Sequence, residues 1–265
     1  MAGKESPLNL SLLPLLVALL LFAAMLVVLE LGRRLGARRL ERDPDGRNVN
    51  LGTVEGAIFA LMGLLVAFTF SGASARLDIR RAQIVEESNA IGTAWLRIDL
   101  LPANAQPAVR EKFRRYLDAR MEAFKKFSDP AASNEALARS VSLQNEIWAL
   151  ATAACRESPP QTSLLVIPAL NAMIDISSTR TMTARIHPPP IVHWMLVALA
   201  LIGSLLAGYG MAASRTRTWL YIVVFAGIMA FTIYVVLDLE FPRTGFIRID
   251  PFDQVLVDLR RSMGP

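Results

Sequence analysis

The ionisable residues at the borders of apolar segments are the first candidates for chemistry in this sequence. Glu55 stands at the start of a long apolar run. A carboxylate in that position indicates either an ion pathway or a group stabilised by the N-terminus of a helix. A second group follows the last apolar run and predicts a structural network of ion pairs, made of Asp238, Glu240, Arg243 and Arg248. These carboxylates lack the third partner that acid–base catalysis requires.

Motifs of the common enzyme classes do not occur in the sequence. There is no Walker motif and no GxGxxG, GxSxG or HExxH pattern. Cys155 is the single cysteine, so no intrachain disulfide can form, and it does not complete a zinc site with His187 and His193. Residues 43–48 resemble half of a calcium loop, but an Asp-Gly turn is the simpler interpretation. We therefore predict no enzymatic activity, no metal and no cofactor.

The composition indicates a membrane protein. Of the 265 residues, 53% are hydrophobic and only 19% are charged, and the mean hydropathy is +0.39. The net charge of +5 suits anionic headgroups or an anionic ligand. No basic stripe with interleaved aromatic residues predicts a nucleic-acid partner.

Four apolar segments are long enough, at about 20 residues, to cross a bilayer as helices. The predicted fold is an all-α membrane protein in which these segments form two hairpins, with an extramembrane α-helical domain between them. The hairpins are predicted at 1–75, with helices at 8–31 and 52–75, and at 188–238, with helices at 191–213 and 218–238; the helical domain covers 76–187 and a C-terminal tail covers 239–265. The first segment lacks a cleavage site and is predicted to be a retained helix.

The spacing of apolar residues predicts how the helical domain begins. Leu77, Ile84, Ile91 and Ile98 recur at seven-residue steps, which is typical of a helix that packs on its neighbours along one stripe. No proline interrupts the chain from the second membrane segment to Pro102, so we expect one long helix there.

Local signals define two more helices of this domain. Asp129 is a suitable N-cap and Pro130 a suitable first residue for a helix that runs to about Arg156. A later helix is expected to bend at Pro168. Its polar side chains predict a structural cluster of Asn171, Asp175 and Arg180.

The charges next to the membrane segments do not fix the side of the helical domain. Short-loop arginines and flanking basic residues balance, with a slight preference for arginine-rich loops in the cytoplasm. We expect a multi-pass protein of the inner cell membrane.

Small residues recur along the second membrane segment. Gly52, Gly56, Ala60, Gly63 and Ala67 follow at three- or four-residue steps, which lets another backbone approach closely in lipid. Packing within the chain is one interpretation. The other is packing of this helix on copies of itself around an axis, as in the pore-lining helix of an oligomer.

Five stretches of sequence carry a family resemblance: GLLVAFTFSGASARLDIRRAQIVEESNAIGTAWLRIDLLP, REKFRRYLDAR, QNEIWALA, LNAMIDISSTR and VLDLEFPRTGFIRID. Together they resemble the bacterial bestrophin-like family, and EESNAIGTAWLR and DLEFPRTG are specific to it. The family is distantly similar to bestrophins, which are pentameric anion channels with four membrane helices and a helical cytosolic region. The resemblance places the helical domain and both termini in the cytoplasm, against the preference of the charge rule.

The resemblance also implies a pore. A phenylalanine followed eight residues later by an arginine ends the apolar neck of bestrophins, and Phe68 and Arg76 have that spacing. Stepping back by four residues gives Leu64 and Ala60 as the other neck positions. The sequence departs from the bestrophin pattern after the phenylalanine, where it has Thr69 and Ser71, and Ala60 is small for a constriction.

Two functions remain open at this point. The first is an oligomeric ion channel, pentameric by resemblance, that conducts an inorganic ion, more readily an anion than a cation. In it Glu55, Arg76, Arg80 and Arg81 stand at the pore mouth or along the ion pathway. The second is a membrane-anchored helical module for interaction or signalling that does not conduct.

Overall fold

The computed structural model describes residues 7–42, 52–127, 129–213, 219–243 and 245–264. Every regular element in these ranges is helical, as predicted. The eight α-helices of the described ranges are α1 Pro7–Arg42, α2 Gly52–Arg97, α3 Gln106–Lys125, α4 Pro130–Arg156, α5 Pro160–Thr183, α6 Pro190–Gly210, α7 Trp219–Glu240 and α8 Asp250–Ser262. The half calcium loop at 43–48 lies outside the described residues.

The predicted long helix is confirmed. Helix α2 has 46 residues without a proline and is followed by a short 3₁₀ turn, Ile98–Leu100. The chain leaves the helical conformation just before Pro102, since the residue preceding a proline disfavours it.

The chain divides into two compact units. We call the first, Met1–Leu77 with His187–Ile247, the membrane unit, and the second, Asp78–Ile186 with Arg248–Pro265, the helical unit. The segment taken from the sequence as a single tail, 239–265, therefore contributes to both. Its last part forms α8 within the helical unit.

Close backbone contact joins α1 to α6 in the membrane unit. A Cβ atom on Gly208 would overlap the carbonyl oxygen of Leu29, and one on Gly32 would overlap that of Leu205. Glycine is the residue that allows such an approach, which increases van der Waals contact between helices in lipid. Buried apolar side chains of α1, α6 and α7 complete the core: Leu21, Met25, Leu196, Ala200, Ala226 and Ile233.

Two local predictions for the domain between the hairpins are confirmed. The seven-residue stripe is buried, with Leu77, Ile84, Ile91 and Ile98 each 3% exposed or less. Asp129 caps α4, because its carboxylate accepts hydrogen bonds from the backbone N–H groups of Ala131 and Ala132, each at 3.1 Å. Helix α5 continues across Pro168, and the bend expected there stays a prediction.

Among the described residues, five helices are long and apolar enough to cross a membrane: α1, α2, α5, α6 and α7. Four of them, α1, α2, α6 and α7, overlap the predicted spans. The fifth, α5, has the lowest hydropathy of the set. Its Val166, Leu170 and Met173 are buried in the core of the helical unit, among side chains of α2, α3 and α4.

Candidate ion pathway

One face of α2 in the membrane unit is exposed and apolar. The predicted neck residues lie on it: Ala60 is exposed, Leu64 is 51% exposed and Phe68 is 67% exposed. Positions four residues apart share one side of a helix, so the three form a single stripe. The opposite side packs inward, where Met62 is 5% exposed.

The small residues of α2 do not pack closely within the chain. A Cβ atom built on Gly56 or Gly63 would meet no atom of the described residues within 4 Å. The interpretation of these glycines as contacts within one chain is therefore wrong at both positions. Helix α2 instead contacts its neighbours through larger side chains, as in the edge-to-face pair of Phe59 with Phe225 of α7, 5.9 Å apart.

Glu55 lies in the first turn of α2, as predicted, and is half-buried. Its carboxylate faces the end of α6, where a Cβ on Gly210 would stand 3.2 Å from Oε2 and 3.3 Å from Oε1. A carboxylate in the first turn interacts favourably with the helix dipole.

Arg76 is engaged in an ion pair. Its Nη2 lies 2.7 Å from Oε2 of Glu240, and its Nε donates to the same oxygen at 2.9 Å. Glu240 is 1% exposed, and its Oε1 lies 2.9 Å from Nδ1 of His187, whose ring stacks on Phe241. The positive charge of Arg76 is thus matched by a buried carboxylate at the end of α7.

The other two arginines assigned to the pore mouth also have contacts within the helical unit. Arg80 is 7% exposed and donates to the carbonyl oxygen of Ile186 at 3.0 Å. Arg81 lies 3.4 Å from a carboxylate oxygen of Asp78, and its guanidinium lies 5.1 Å from the ring centroid of Phe252. Both arginines belong to the helical unit, whereas the neck residues belong to the membrane unit.

The charged residues at and after the end of α7, predicted as one network, have separate contacts. Asp238 is 1% exposed, and its Oδ2 accepts hydrogen bonds from the backbone N–H groups of Phe246 at 3.1 Å and Ile247 at 2.9 Å. A side chain on Gly245 would overlap the same carboxylate, so a larger residue there would have to displace it. Arg248 lies 3.6 Å from Asp250 in an exposed pair. Asp238 thus organises the turn that contains Arg243, while Glu240 binds Arg76.

Sequence reasoning missed a buried ion cluster in the helical unit. Glu87 is 0% exposed and lies between Arg120, whose Nη2 is 2.6 Å from Oε1, and Arg180, which binds Oε2. Arg180 also binds Asp253 of α8 at 2.8 Å. Phe124 lies beneath both guanidinium groups, 5.0 Å from that of Arg120 and 3.7 Å from that of Arg180.

The cluster corrects a prediction made from local spacing. Asn171 and Asp175, which were grouped with Arg180, are both exposed. The signal that could have revealed the true partner is Glu87 itself, a charged residue between Ile84 and Ile91 on the buried stripe of α2.

Burial next to the Glu87 cluster raises the pKa of Tyr116. Desolvation, together with the nearby negative charge of Glu87, raises the pKa of Tyr116 to about 12. Its hydroxyl oxygen accepts a hydrogen bond from the Gln144 amide at 3.2 Å, and the same amide donates to Ser177 at 2.7 Å.

Within the described ranges, no group of three or more His, Cys, Asp or Glu side chains is arranged to hold a metal ion.

A comparison with protein-family models identifies the family of this chain. A family model described as the bestrophin-like domain matches residues 19–253, which is most of the sequence. The chain belongs to the bestrophin-like family. A search of curated proteins finds no match.

Solved structures show that this family member has a bestrophin-like fold. A bacterial bestrophin homologue from Klebsiella pneumoniae with an isoleucine-to-threonine mutation has a TM-score of 0.66 at 14% identity, over 90% of this chain and 96% of that chain. The same homologue with a tryptophan-to-alanine mutation also has a TM-score of 0.66, at 13% identity, over 91% of this chain and 95% of that chain. The predicted family and the bestrophin-like fold of a membrane protein are confirmed.

Proposed function

We propose that this protein is an oligomeric ion channel of the inner cell membrane, in which α2 lines the pore. The observation that carries the proposal is the exposed stripe of Ala60, Leu64 and Phe68. Beside it, a Cβ atom on Gly56 or Gly63 would meet no described atom within 4 Å. In the proposed assembly, which is a pentamer by family resemblance, the stripes of several copies surround one axis. Helices α1, α2, α6 and α7 cross the membrane, and α5 belongs to the helical unit.

The proposed neck works by excluding water. A ring of apolar side chains can gate a pore by dewetting and still pass a partly dehydrated ion when it widens. Leu64 and Phe68 are the bulky members of the stripe, so they form the narrowest part, and the smaller Ala60 leaves a wider approach.

The ion sign is proposed from the family resemblance, which implies that an anion passes more readily than a cation. Within the membrane unit, Arg76 stands eight residues after Phe68 in α2, and it is paired with Glu240. A basic group at a pore mouth raises the local concentration of anions. We therefore propose that the pathway prefers anions and that Arg76 contributes to this preference.

The pore is tested by current across a planar bilayer that contains the purified protein under a KCl gradient. Phe68→Ala should enlarge the current, because it removes the bulkiest ring of the neck. Phe231→Ala is a matched control, since Phe231 is 64% exposed on α7, a helix that does not line the proposed pore. Equal currents from both variants and the wild type would contradict the assignment of α2.

The ion sign is tested in the same recordings through the reversal potential. Arg76→Gln should lower the ratio of Cl⁻ to K⁺ permeability by roughly tenfold, the lower end of the effect of a charged cleft on ion concentration. Arg115→Gln makes the same change at an exposed position of α3 and should leave the ratio unaltered. A cation-selective wild type would overturn the anion proposal but not the pore.

The alternative function, a membrane-anchored module without conduction, makes a different prediction. Folded wild-type protein and variants would all be silent, and native mass spectrometry would give a monomer. The small Ala60 and the Thr69 and Ser71 positions, which differ from the bestrophin pattern, are the features that favour it. If the protein forms an oligomer but carries no current, the α2 stripe would serve assembly and not conduction.

A further inference from the structure

The end of α1 extends beyond the apolar part of the helix. Helix α1 has 36 residues, which corresponds to about 54 Å at 1.5 Å per residue, against about 30 Å of hydrocarbon in a bilayer. Residues 10–29 carry no ionisable side chain, and the charged residues begin at Glu30. The last three turns, which hold five arginines, therefore lie at the depth of the lipid headgroups and beyond.

These turns have one packed face and one open face. Gly32 and Gly36 face α6 and the turn after it, where a Cβ on Gly36 would stand 2.6 Å from the Cβ of Ala212. Leu31 and Leu35 lie on another face and are 49% and 51% exposed.

Two arginines share the open face with these leucines. Arg34 and Arg38 stand three and seven residues after Leu31, so Leu31, Arg34, Leu35 and Arg38 form one stripe, and both arginines are exposed. Leucines beside arginines at this depth suit a lipid, because acyl chains cover the apolar side chains while guanidinium groups reach the phosphate.

The arginines of this helix end have different contacts. Arg39 donates to the hydroxyl of Tyr209 at 2.6 Å, and its guanidinium lies 5.9 Å from the centroid of that ring, so it holds α1 against α6. Arg34 binds Glu30 through Nε at 3.1 Å, and its two terminal nitrogens have no acceptor among the described residues. Arg38 forms no ion pair within the described part of the chain.

We propose that Arg34 and Arg38 bind the phosphate of an anionic phospholipid whose acyl chain lies along Leu31 and Leu35. Two guanidinium groups one turn apart can hold one phosphate, and the planar fork of arginine matches its oxygens. The site is formed by α1 alone and is independent of conduction through α2.

The full-length protein in detergent micelles tests the site. Phosphatidylglycerol is titrated in, and an apparent affinity is derived from the rise of the unfolding midpoint, followed by tryptophan fluorescence. The Arg34→Gln, Arg38→Gln double variant should bind about 25-fold more weakly, since each arginine near an anionic lipid surface contributes about fivefold.

Two further variants make the result specific. The Arg115→Gln, Arg156→Gln double variant removes the same charge from exposed positions of α3 and α4 and should bind like the wild type. The Arg34→Lys, Arg38→Lys variant keeps the charge without the fork and should have intermediate affinity, which separates lost binding from lost folding.

Two parallel titrations identify the source of the phosphate. Phosphatidylcholine should give little stabilisation, and inorganic phosphate at the same concentration should give less than phosphatidylglycerol, because it has no acyl chain for the leucines. If inorganic phosphate stabilises the protein as much as phosphatidylglycerol does, the ligand of the site would be a soluble anion and not a lipid. Equal phosphatidylglycerol affinity in the wild type and the glutamine variant would overturn the site.

Discussion

Replacement of Glu87 by glutamine should destabilise the helical unit more than any neighbouring change on α2. The carboxylate is 0% exposed, and the side chains of its partners Arg120 and Arg180 are 3% and 5% exposed. Asp253, the remaining carboxylate of the cluster, is 22% exposed and binds only Arg180 among the ion pairs described above. The variant therefore leaves Arg120 buried without its counter-charge.

The size of the expected loss in the free energy of unfolding follows from the burial of Glu87 and its arginine partners. Loss of one member of a buried ion pair costs about 3–5 kcal/mol, because the remaining charge stays in a medium of low dielectric constant. Glutamine retains the shape and can accept one hydrogen bond, so we expect a loss of about 3 kcal/mol in the free energy of unfolding. That corresponds to a fall of about 10 °C in the unfolding midpoint for a chain of this size.

The assay is thermal unfolding in detergent, with Glu86→Gln as the control. The two glutamates are adjacent, but Glu86 is exposed, so its replacement should change the free energy by no more than about 0.5 kcal/mol. The Glu87→Gln, Arg120→Met double variant should lose less stability than the sum of the single variants, because it removes the uncompensated charge as well. A midpoint for Glu87→Gln equal to that of Glu86→Gln would refute the buried cluster.

Three further changes test other parts of the structure. Gly245→Ala should lower the free energy of unfolding by about 2 kcal/mol, because its methyl group would overlap the Asp238 carboxylate that holds the turn after α7; thermal unfolding measures this. Gly208→Ala should cost about 1–3 kcal/mol at the α1–α6 contact, whereas Gly63→Ala, with open space around it, should be neutral or stabilising in the unassembled chain. Stability should fall as pH rises from about 10, the pKa of an unfolded tyrosine, to about 12, the pKa of folded Tyr116. In this range the phenol ionises in the unfolded state but stays neutral in the folded state, so rising pH favours unfolding. Tyr116→Phe should show a smaller fall in chemical unfolding across the same pH values, and an unchanged fall would contradict the burial of this phenol.

The sequence predicted features that depend on helical register and on neighbouring residues. The uninterrupted length of α2, the Asp129 cap and the buried stripe from Leu77 to Ile98 follow from spacing and from proline and capping chemistry. Each of these depends on interactions within a few turns of one helix. The neck positions Ala60, Leu64 and Phe68 came from the family resemblance, and helical register adds only that they lie on one face of α2.

Charge partners could not be predicted in the same way. Arg180 was grouped with Asn171 and Asp175 on its own helix, but its partners are Glu87 and Asp253, 93 and 73 residues away. Arg76 likewise binds a carboxylate 164 residues away. Helical register gives the face on which a charge lies, but the packing of distant helices decides which opposite charge meets it.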